Sequence, residues 1–407
     1  MKRKPKNQIK RLYAGLPLVS EARTWAEIDL DALCHNYRTV AKHVKDTAGR
    51  RKMPTVICVV KADAYGHGAS SVARALLDEG CRFFAVSCIE EAEELRGVCR
   101  ETGLDADILI LGYTRPTLAK RLAQNDLIAT LPSAEYARSL AAEARAAGVC
   151  VRAHVKLDTG MNRLGFPASS VAEIGAAIHD IALLTRQSGL ALEGMFTHFA
   201  RADEDASTAA TGLTATQQKR FFAVQEGLAA LGVPPLMCHL NNSAGAIRLP
   251  DSMADAVRVG ISLYGCPPSE VLDTLDLRPV MRLVTMVSHV HTLRAGESVS
   301  YGGTYTATED RRIATLPVGY ADGFIRGYSG ASVRITTKSG EVSVPVIGRI
   351  CMDQCMVDVT DTDVAVGDEV TLFGSHPEDI TALARLAHTI PYEVLCLVSA
   401  RVPRRYV

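Results

Sequence analysis

The 407-residue sequence has no excess of charge of one sign: 45 Lys plus Arg stand against 45 Asp plus Glu. That balance gives no support to a nucleic-acid or acidic-polymer partner, whose recognition needs a basic surface. Also lacking is any apolar run approaching the roughly 18 residues that suggest a membrane span. Residues 1–22 start basic (Lys2, Arg3, Lys4, Lys6, Lys10, Arg11) but hold no uninterrupted apolar stretch of the kind a secretory signal carries. They read as a loose basic arm, and the cytoplasm follows as the default location. The eleven cysteines, scattered from Cys34 to Cys396, form no C-x-x-C. The nearest pair, Cys351 and Cys355, has neither a second pair nor a nearby His. Reduced thiols are the expectation, with no metal site. No long low-complexity linker divides the chain.

What is present is a large apolar fraction, 47% against 22% charged, in a chain long enough for two domains or one barrel with an appendage. From residue 56 a short apolar run alternates with a helix-like stretch. The runs are Val56–Val60, Phe83–Val86, Ile108–Leu111, Ile128–Leu131, Val149–Leu157, Leu192–Phe196, Leu236–Leu240 and Ala256–Ile261. Helices are expected between them, over Ala69–Asp78 and Ser133–Ala147 for example, the latter with Ser133 as N-cap and Gly148 as stop. Another opens at Thr216 and closes at Gly232 and Pro234. Eight alternations predict an α/β architecture, a (β/α)8 TIM-like barrel over 23–279. Periodicity alone leaves a doubly wound open sheet as the alternative. After Pro267 and Pro268 the chain turns rich in Val, Ile and Thr, with runs at Leu283–Leu293, Arg312–Val318, Ser332–Thr337, Val342–Ile347, Met356–Val359 and Glu369–Phe373. A C-terminal mostly β domain over 280–407 follows, with one helix at Asp379–His388.

Barrel enzymes carry their chemistry at the C-terminal ends of the strands. Here those ends are loaded: Lys61 after the first run, Lys156 and Asp158 at the end of the fifth, Thr197-His198 after the sixth, Asn241-Asn242-Ser243 after the seventh, and Arg258 with Gly260-Ile261 in the eighth. A lysine with apolar walls behind it loses basicity, which suits Schiff-base chemistry. A lysine snorkelling from a strand end fits the position equally well. Ser243 offers a hydroxyl, and Gly260 and Ile261 offer N–H groups to an anion, although an ordinary tight turn has the same composition. Taken together, the pattern suggests a phosphorylated carbonyl cofactor, pyridoxal phosphate.

Val60-Lys61-Ala-Asp-Ala-Tyr65-Gly-His-Gly68 resembles the cofactor-lysine signature of alanine racemases, a family of pyridoxal-phosphate enzymes. Further similar motifs follow in the family's order: Lys156-Leu-Asp-Thr-Gly-Met-Asn-Arg163-Leu-Gly165, Thr197-His198-Phe-Ala200, Arg258-Val-Gly-Ile-Ser-Leu-Tyr-Gly265, Ser300-Tyr301-Gly-Gly-Thr-Tyr305, Gly319-Tyr-Ala-Asp-Gly323, Cys351-Met-Asp353, and Tyr392-Glu-Val with Arg401-Val-Pro-Arg404. The resemblance runs from about Ala26 to Arg404. Where the family often reads Ala-Asn-Ser, this chain has Asn241-Asn242-Ser243, and Asn162 stands at a position that varies among relatives.

The resemblance implies roles. Lys61 would carry pyridoxal 5'-phosphate and act as one catalytic base, with Tyr301 as the base on the opposite face. Tyr65, Ser243, Gly260, Ile261 and Tyr392 would hold the phosphate. Arg258 would face the pyridine nitrogen, supported by His198. Arg163 and Met352 would meet the substrate carboxylate, with Asp353 in support, and Tyr320 would line the access channel. Lys156 would occupy the position that many members carry as a carbamate bridging to Arg163. The implied reaction is interconversion of L- and D-alanine for cell-wall peptidoglycan, in a homodimer whose shared sites take Tyr301 and Met352 from the partner chain. Serine or broad-spectrum racemisation on the same fold is the close alternative, against which the bulk of Tyr392 argues. A basic amino-acid decarboxylase and a non-catalytic pyridoxal-phosphate binder fit less well, because the Lys156…Arg163 motif, Tyr301 and Met352 would then have no use.

Overall fold

The structure, a computed structural model, describes residues 21–48, 53–203, 212–249, 252–269, 272 and 275–407. The basic arm expected over 1–22 lies almost wholly outside the described residues. Two compact units emerge. Leu33–Ala64 with Gly68–Leu277 make one, and residues 21–32, Tyr65–His67 and Arg278–Val407 make the other.

The strand β1 (Thr24–Ile28) belongs to the second unit. The first unit is built on β2 (Thr55–Val59), β3 (Phe83–Val86), β4 (Asp107–Ile110), β5 (Ile128–Leu131), β6 (Val151–Asp158), the two-residue β7 (Phe166–Pro167), β8 (Leu190–Phe196), β9 (Met237–His239) and β10 (Ala256–Val259). Leaving out β7, which only extends the end of β6, these pair in parallel around a ring. β2 joins β3 on one side and β10 on the other, and β5 joins β6 to close the circle. All eight expected runs are barrel strands. They read as unbroken apolar stretches because parallel strands roofed by helices are buried on both faces, as every residue of β3 and β5 is.

The helices obey their local signals. Ala69–Asp78 forms as expected and buries Val72, Ala73, Leu76 and Leu77. Ala134–Ala146 starts where the Ser133 hydroxyl accepts the Tyr136 N–H at 3.1 Å, and it stops before Gly148 at φ 65°. The helix expected from Thr216 begins three residues earlier, at Leu213, and runs to Ala230.

The second unit carries a nine-stranded sheet. Its strands are β1, β11 (Met281–Met286), β12 (His289–Leu293), β15 (Arg311–Leu316), β16 (Ser332–Thr337), β17 (Gly340–Ile347), β18 (Cys355–Asp358), β19 (Glu369–Phe373) and β20 (Arg404–Tyr406), in the order β12-β15-β18-β17-β16-β19-β11-β1-β20. A small hairpin of β13 (Ser298–Val299) and β14 (Tyr305–Thr306) stands apart. The expected run Leu283–Leu293 is two strands, because the chain changes partners after Met286, from β19 to β15. The expected helix at Asp379–His388 is Pro377–Leu386, opened by Pro377, whose ring fits the first helical turn.

Candidate active site

Lys61 lies one residue beyond β2 and opens the turn Lys61–Gly66. This turn is left-handed: φ is 52° at Ala62, 53° at Asp63, 54° at Ala64 and 54° at Tyr65. Four consecutive non-glycine residues in that region cost roughly 4–8 kcal/mol, at about 1–2 kcal/mol each. Hydrogen bonds offset the strain. The Ala64 N–H reaches the Val60 carbonyl at 2.9 Å, the Gly68 N–H reaches the Asp63 carbonyl at 2.9 Å, and the Asp63 carboxylate accepts the Ala69 N–H at 2.6 Å. In the β unit, Arg404 Nε donates to the Gly66 carbonyl at 2.9 Å while its Nη atoms donate to the carbonyls of Val398, Ser399 and Val402. A Cβ at Gly66 would lie 2.8 Å from the Leu395 carbonyl oxygen, so glycine is required there.

Arg258 projects from β10 and is 3% exposed. Nη1 donates to the His239 carbonyl (2.8 Å) and contacts His239 Nδ1 (2.6 Å). Nη2 donates to the carbonyls of Thr197 (2.7 Å) and Leu240 (2.9 Å) and contacts His198 Nδ1 (3.3 Å). None of these partners is a carboxylate. Burial, then the nearby Arg163, lowers its pKa to about 9, which leaves it protonated at pH 7. The hydrogen bonds use Nη1 and Nη2, so Nε–H is the donor without an acceptor among the described residues.

A guanidinium offers only protons, so His239 Nδ1 accepts, its Nε2 carries the hydrogen, and that hydrogen is donated to His154 Nδ1 at 3.0 Å. Burial and then neighbouring cations push both histidines down, His239 well below the usual range and His154 to about 3, so both are neutral. Phe196 stacks on His239 at 4.7 Å, under the Arg258 guanidinium and near Lys156 Nζ. Gly194 makes room: a Cβ there would lie 2.5 Å from the His154 ring. The His154–His239 pair was missed in the sequence.

Lys156 is 5% exposed, and Nζ donates to the carbonyls of Leu157 (2.7 Å) and Leu164 (3.2 Å). Burial first, then Arg258 and Arg163, lowers its pKa to about 7. His198 is held well below its usual range by burial, and then by Arg258, Arg163, Lys156 and Lys61. These residues therefore share one neighbourhood. The loop bearing Arg163 is tied down by Asp158, whose carboxylate accepts the N–H groups of Gly160, Met161, Asn162 and Arg163, each at 3.0 Å.

On the strand-seven side, the Ser243 hydroxyl, nearly buried, accepts the Gly260 N–H at 3.0 Å, and Ile261 opens the short helix that follows Gly260. The unusual asparagines are scaffolding. Asn241 donates to the carbonyls of Gly245 and Leu249 and accepts from Ser252, while Asn242 accepts the Gly245 N–H. Tyr264 was also missed. Its hydroxyl donates to the Val59 carbonyl at 3.0 Å, fixing the end of β2 just before Lys61.

The β unit holds the remaining candidates. Tyr65, buried, and Tyr392 place their rings 6.1 Å apart, and burial raises the Tyr65 pKa. Tyr301 (69% exposed), Met352 (53%) and Tyr320 (40%) stand at the surface on linked loops. The Ser300 hydroxyl contacts Cys351 Sγ at 3.3 Å, and the Tyr320 N–H donates to the Cys351 carbonyl at 3.0 Å. Asp353 and Asp322 are bridged by Arg401, at 2.6 Å to each.

A closed parallel barrel with Lys61, Lys156 and Arg258 at the C-terminal ends of its strands, joined in sequence to a mostly β unit, has the layout of a barrel enzyme with its site at those strand ends. Residues 28–268 match the family described as alanine racemase, N-terminal domain, and residues 280–406 match alanine racemase, C-terminal domain. The chain is 39% identical over 390 residues to the alanine racemase of Clostridium novyi (94% of this chain, 95% of the relative), and 40% identical over 389 residues to alanine racemase 1 of Clostridium acetobutylicum (94% and 95%). The solved alanine racemase of Clostridium difficile 630 superposes with a TM-score of 0.84 at 37% identity, covering 95% of this chain and 96% of that one. The chain belongs to the alanine racemase family and is an amino-acid racemase.

Proposed function

We propose that this alanine racemase moves the Cα proton of alanine between two bases, Lys61 and Tyr301, with pyridoxal 5'-phosphate carried on Lys61. The observation that carries the reading is the cationic barrel mouth. Lys61, Lys156, Arg163 and Arg258 all bear on His198, while Arg258 has only carbonyl and imidazole partners. Such a mouth calls for anions, and a cofactor phosphate and a substrate carboxylate supply two. The residues present fit the group. The Ser243 hydroxyl and the Ile261 N–H would hold the phosphate, with the Gly260 N–H turning to it from the Ser243 oxygen it now meets and with Tyr65 and Tyr392 as further ligands. Arg258 Nε–H would donate to the ring nitrogen.

When bound, the cofactor draws electrons from Cα and acidifies the proton there. Lys61 Nζ takes or returns that proton on one face, and the Tyr301 phenol serves the other, so neither base crosses the substrate plane. Arg163 is the cation that would stand beside the phenol when it acts as a base. Arg163 and Met352 would seat the carboxylate. Arg258 keeps its own proton and only shares it, which limits electron flow into the ring and restrains misplaced protonation.

The exposure of Tyr301, Met352 and Tyr320 supports a homodimer, in which the Tyr301 and Met352 serving a given Lys61 come from the second subunit. None of the eleven cysteines is in a disulfide, which suits the cytoplasm, where D-alanine would feed peptidoglycan synthesis. No described helix is long and apolar enough to cross a membrane. The test is a panel of L- and D-alanine, serine, lysine and arginine followed by polarimetry, with borohydride trapping and peptide mapping of the cofactor. Alanine racemised fastest and label on Lys61 are expected. A label on another lysine, or serine preferred, would overturn the reading.

A further inference from the structure

The left-handed turn behind Lys61 is strained, yet its first peptide is gripped by a side chain from outside it. The Glu91 carboxylate accepts the Ala62 N–H on Oε1 at 2.6 Å and the Ser87 N–H on Oε2 at 2.7 Å. Glu91 sits in the first turn of the helix Ile89–Thr102, which follows β3. One carboxylate therefore ties the residue after Lys61 to the end of the neighbouring barrel strand. Bonds from a carboxylate to backbone N–H groups are charge-assisted and stronger than neutral ones. Nothing in the residue types of Ala62, Ala64 and Tyr65 favours φ > 0. The turn keeps its hand because its surroundings fix it, and a side chain on that turn is placed only as well as its peptide is held.

We infer that Glu91 is a positioning residue for Lys61: its grip on the Ala62 N–H holds the left-handed turn and so sets where the Lys61 amine stands. The inference deepens the assignment of Lys61 as the cofactor-bearing base and rests on it. Glu91 also serves its own helix, through Ser87, and the two duties are separable. Glu91→Asp leaves a carboxylate at the helix start, where it still complements the helix dipole, but withdraws it by one methylene from Ala62.

The experiment is peptide-resolved hydrogen exchange on the cofactor-free protein, wild type against Glu91→Asp, together with steady-state kinetics of the loaded enzyme. Exchange in 62–66 is expected to rise roughly ten- to a hundredfold, the factor carried by one hydrogen bond to a charged group, while exchange in 89–102 stays as in wild type. In the loaded enzyme kcat is expected to fall while KM for alanine holds, since the carboxylate-binding residues are untouched. Unchanged exchange in 62–66 would overturn the inference. So would a parallel rise in 62–66 and 89–102, which would mark Glu91 as a general support of its helix. Borohydride-trapped cofactor on a lysine other than Lys61, in wild type, would instead overturn the assignment on which the inference rests.

Discussion

Replacing Lys156 with Met should stabilise the folded chain near neutral pH and lose that advantage as the pH rises. Lys156 is buried among cations, and its pKa falls to about 7 from the ordinary 10.5. At 1.36 kcal/mol per pH unit, that gap amounts to roughly 5 kcal/mol of penalty on the folded state. The sign follows from proton counts. Between pH 7 and 10.5 the unfolded chain keeps the proton and the folded chain does not, so stability rises with pH across this window. The penalty is full below pH 7, falls as the pH rises through that value, and is gone above 10.5. Methionine removes it but forfeits the bonds to the Leu157 and Leu164 carbonyls, worth about 1–1.5 kcal/mol each. A net gain of about 2 kcal/mol should remain at pH 7. The assay is urea unfolding of cofactor-free protein in buffer stripped of carbon dioxide, with equal m-values taken as the sign of comparable transitions. The difference between variant and wild type should shrink by about 1.4 kcal/mol per pH unit from pH 7 to 9. A flat difference would refute the reasoning. Bicarbonate should narrow the difference at pH 8, because a carbamate on Lys156 would replace the buried cation with an anion facing Arg163.

Arg258→Glu should slow racemisation and raise the share of turnovers ending in pyruvate, measured by coupled assay; an unchanged share would reject the restraining role of the guanidinium. Tyr392→Asn should raise kcat/KM for serine relative to alanine, because an apolar pocket discriminates against one hydroxyl only by roughly 10²-fold; a fixed ratio would remove Tyr392 from specificity. Lys61→Ala and Tyr301→Phe homodimers should each be nearly inactive, yet co-expression should restore about a quarter of wild-type activity, since mixed dimers gather both lesions in one site and leave the other intact. No recovery despite proven mixed dimers would place both bases in one chain.

The barrel was legible because its strands are short apolar runs that no other element explains, and because polar residues collect at their C-terminal ends. Lys61, Lys156, His198, Ser243 and Arg258 all stand where strand order put them. Other features depend on distant partners. β1 and β20 are short, and only the pairing of β1 with β11 and of β20 with β1 makes them strands. The left-handed turn at Ala62–Tyr65 has ordinary residue types, and its hand is imposed by Glu91, Asp63 and the carbonyl of Val60. The His154–His239 pair left one signal unused. Strand side chains alternate with a period of two, so His154 shares a face with Lys156 in β6. The break between β11 and β12 has no local mark, since Val287-Ser288 is unremarkable and the change of partner strand decides it.

The central claim, that two bases divide the proton transfer by face, is tested most directly by following the Cα proton in deuterium oxide with Tyr301→Phe. NMR and chiral chromatography would track L- and D-alanine separately. With Lys61 as the only remaining base, one enantiomer should exchange its Cα proton for deuterium with its configuration retained. The other should neither exchange nor invert, each slowed by the roughly 10²–10⁴-fold that a positioned base supplies. Racemisation of both enantiomers at rates close to wild type would contradict the account and leave Lys61 carrying the proton alone.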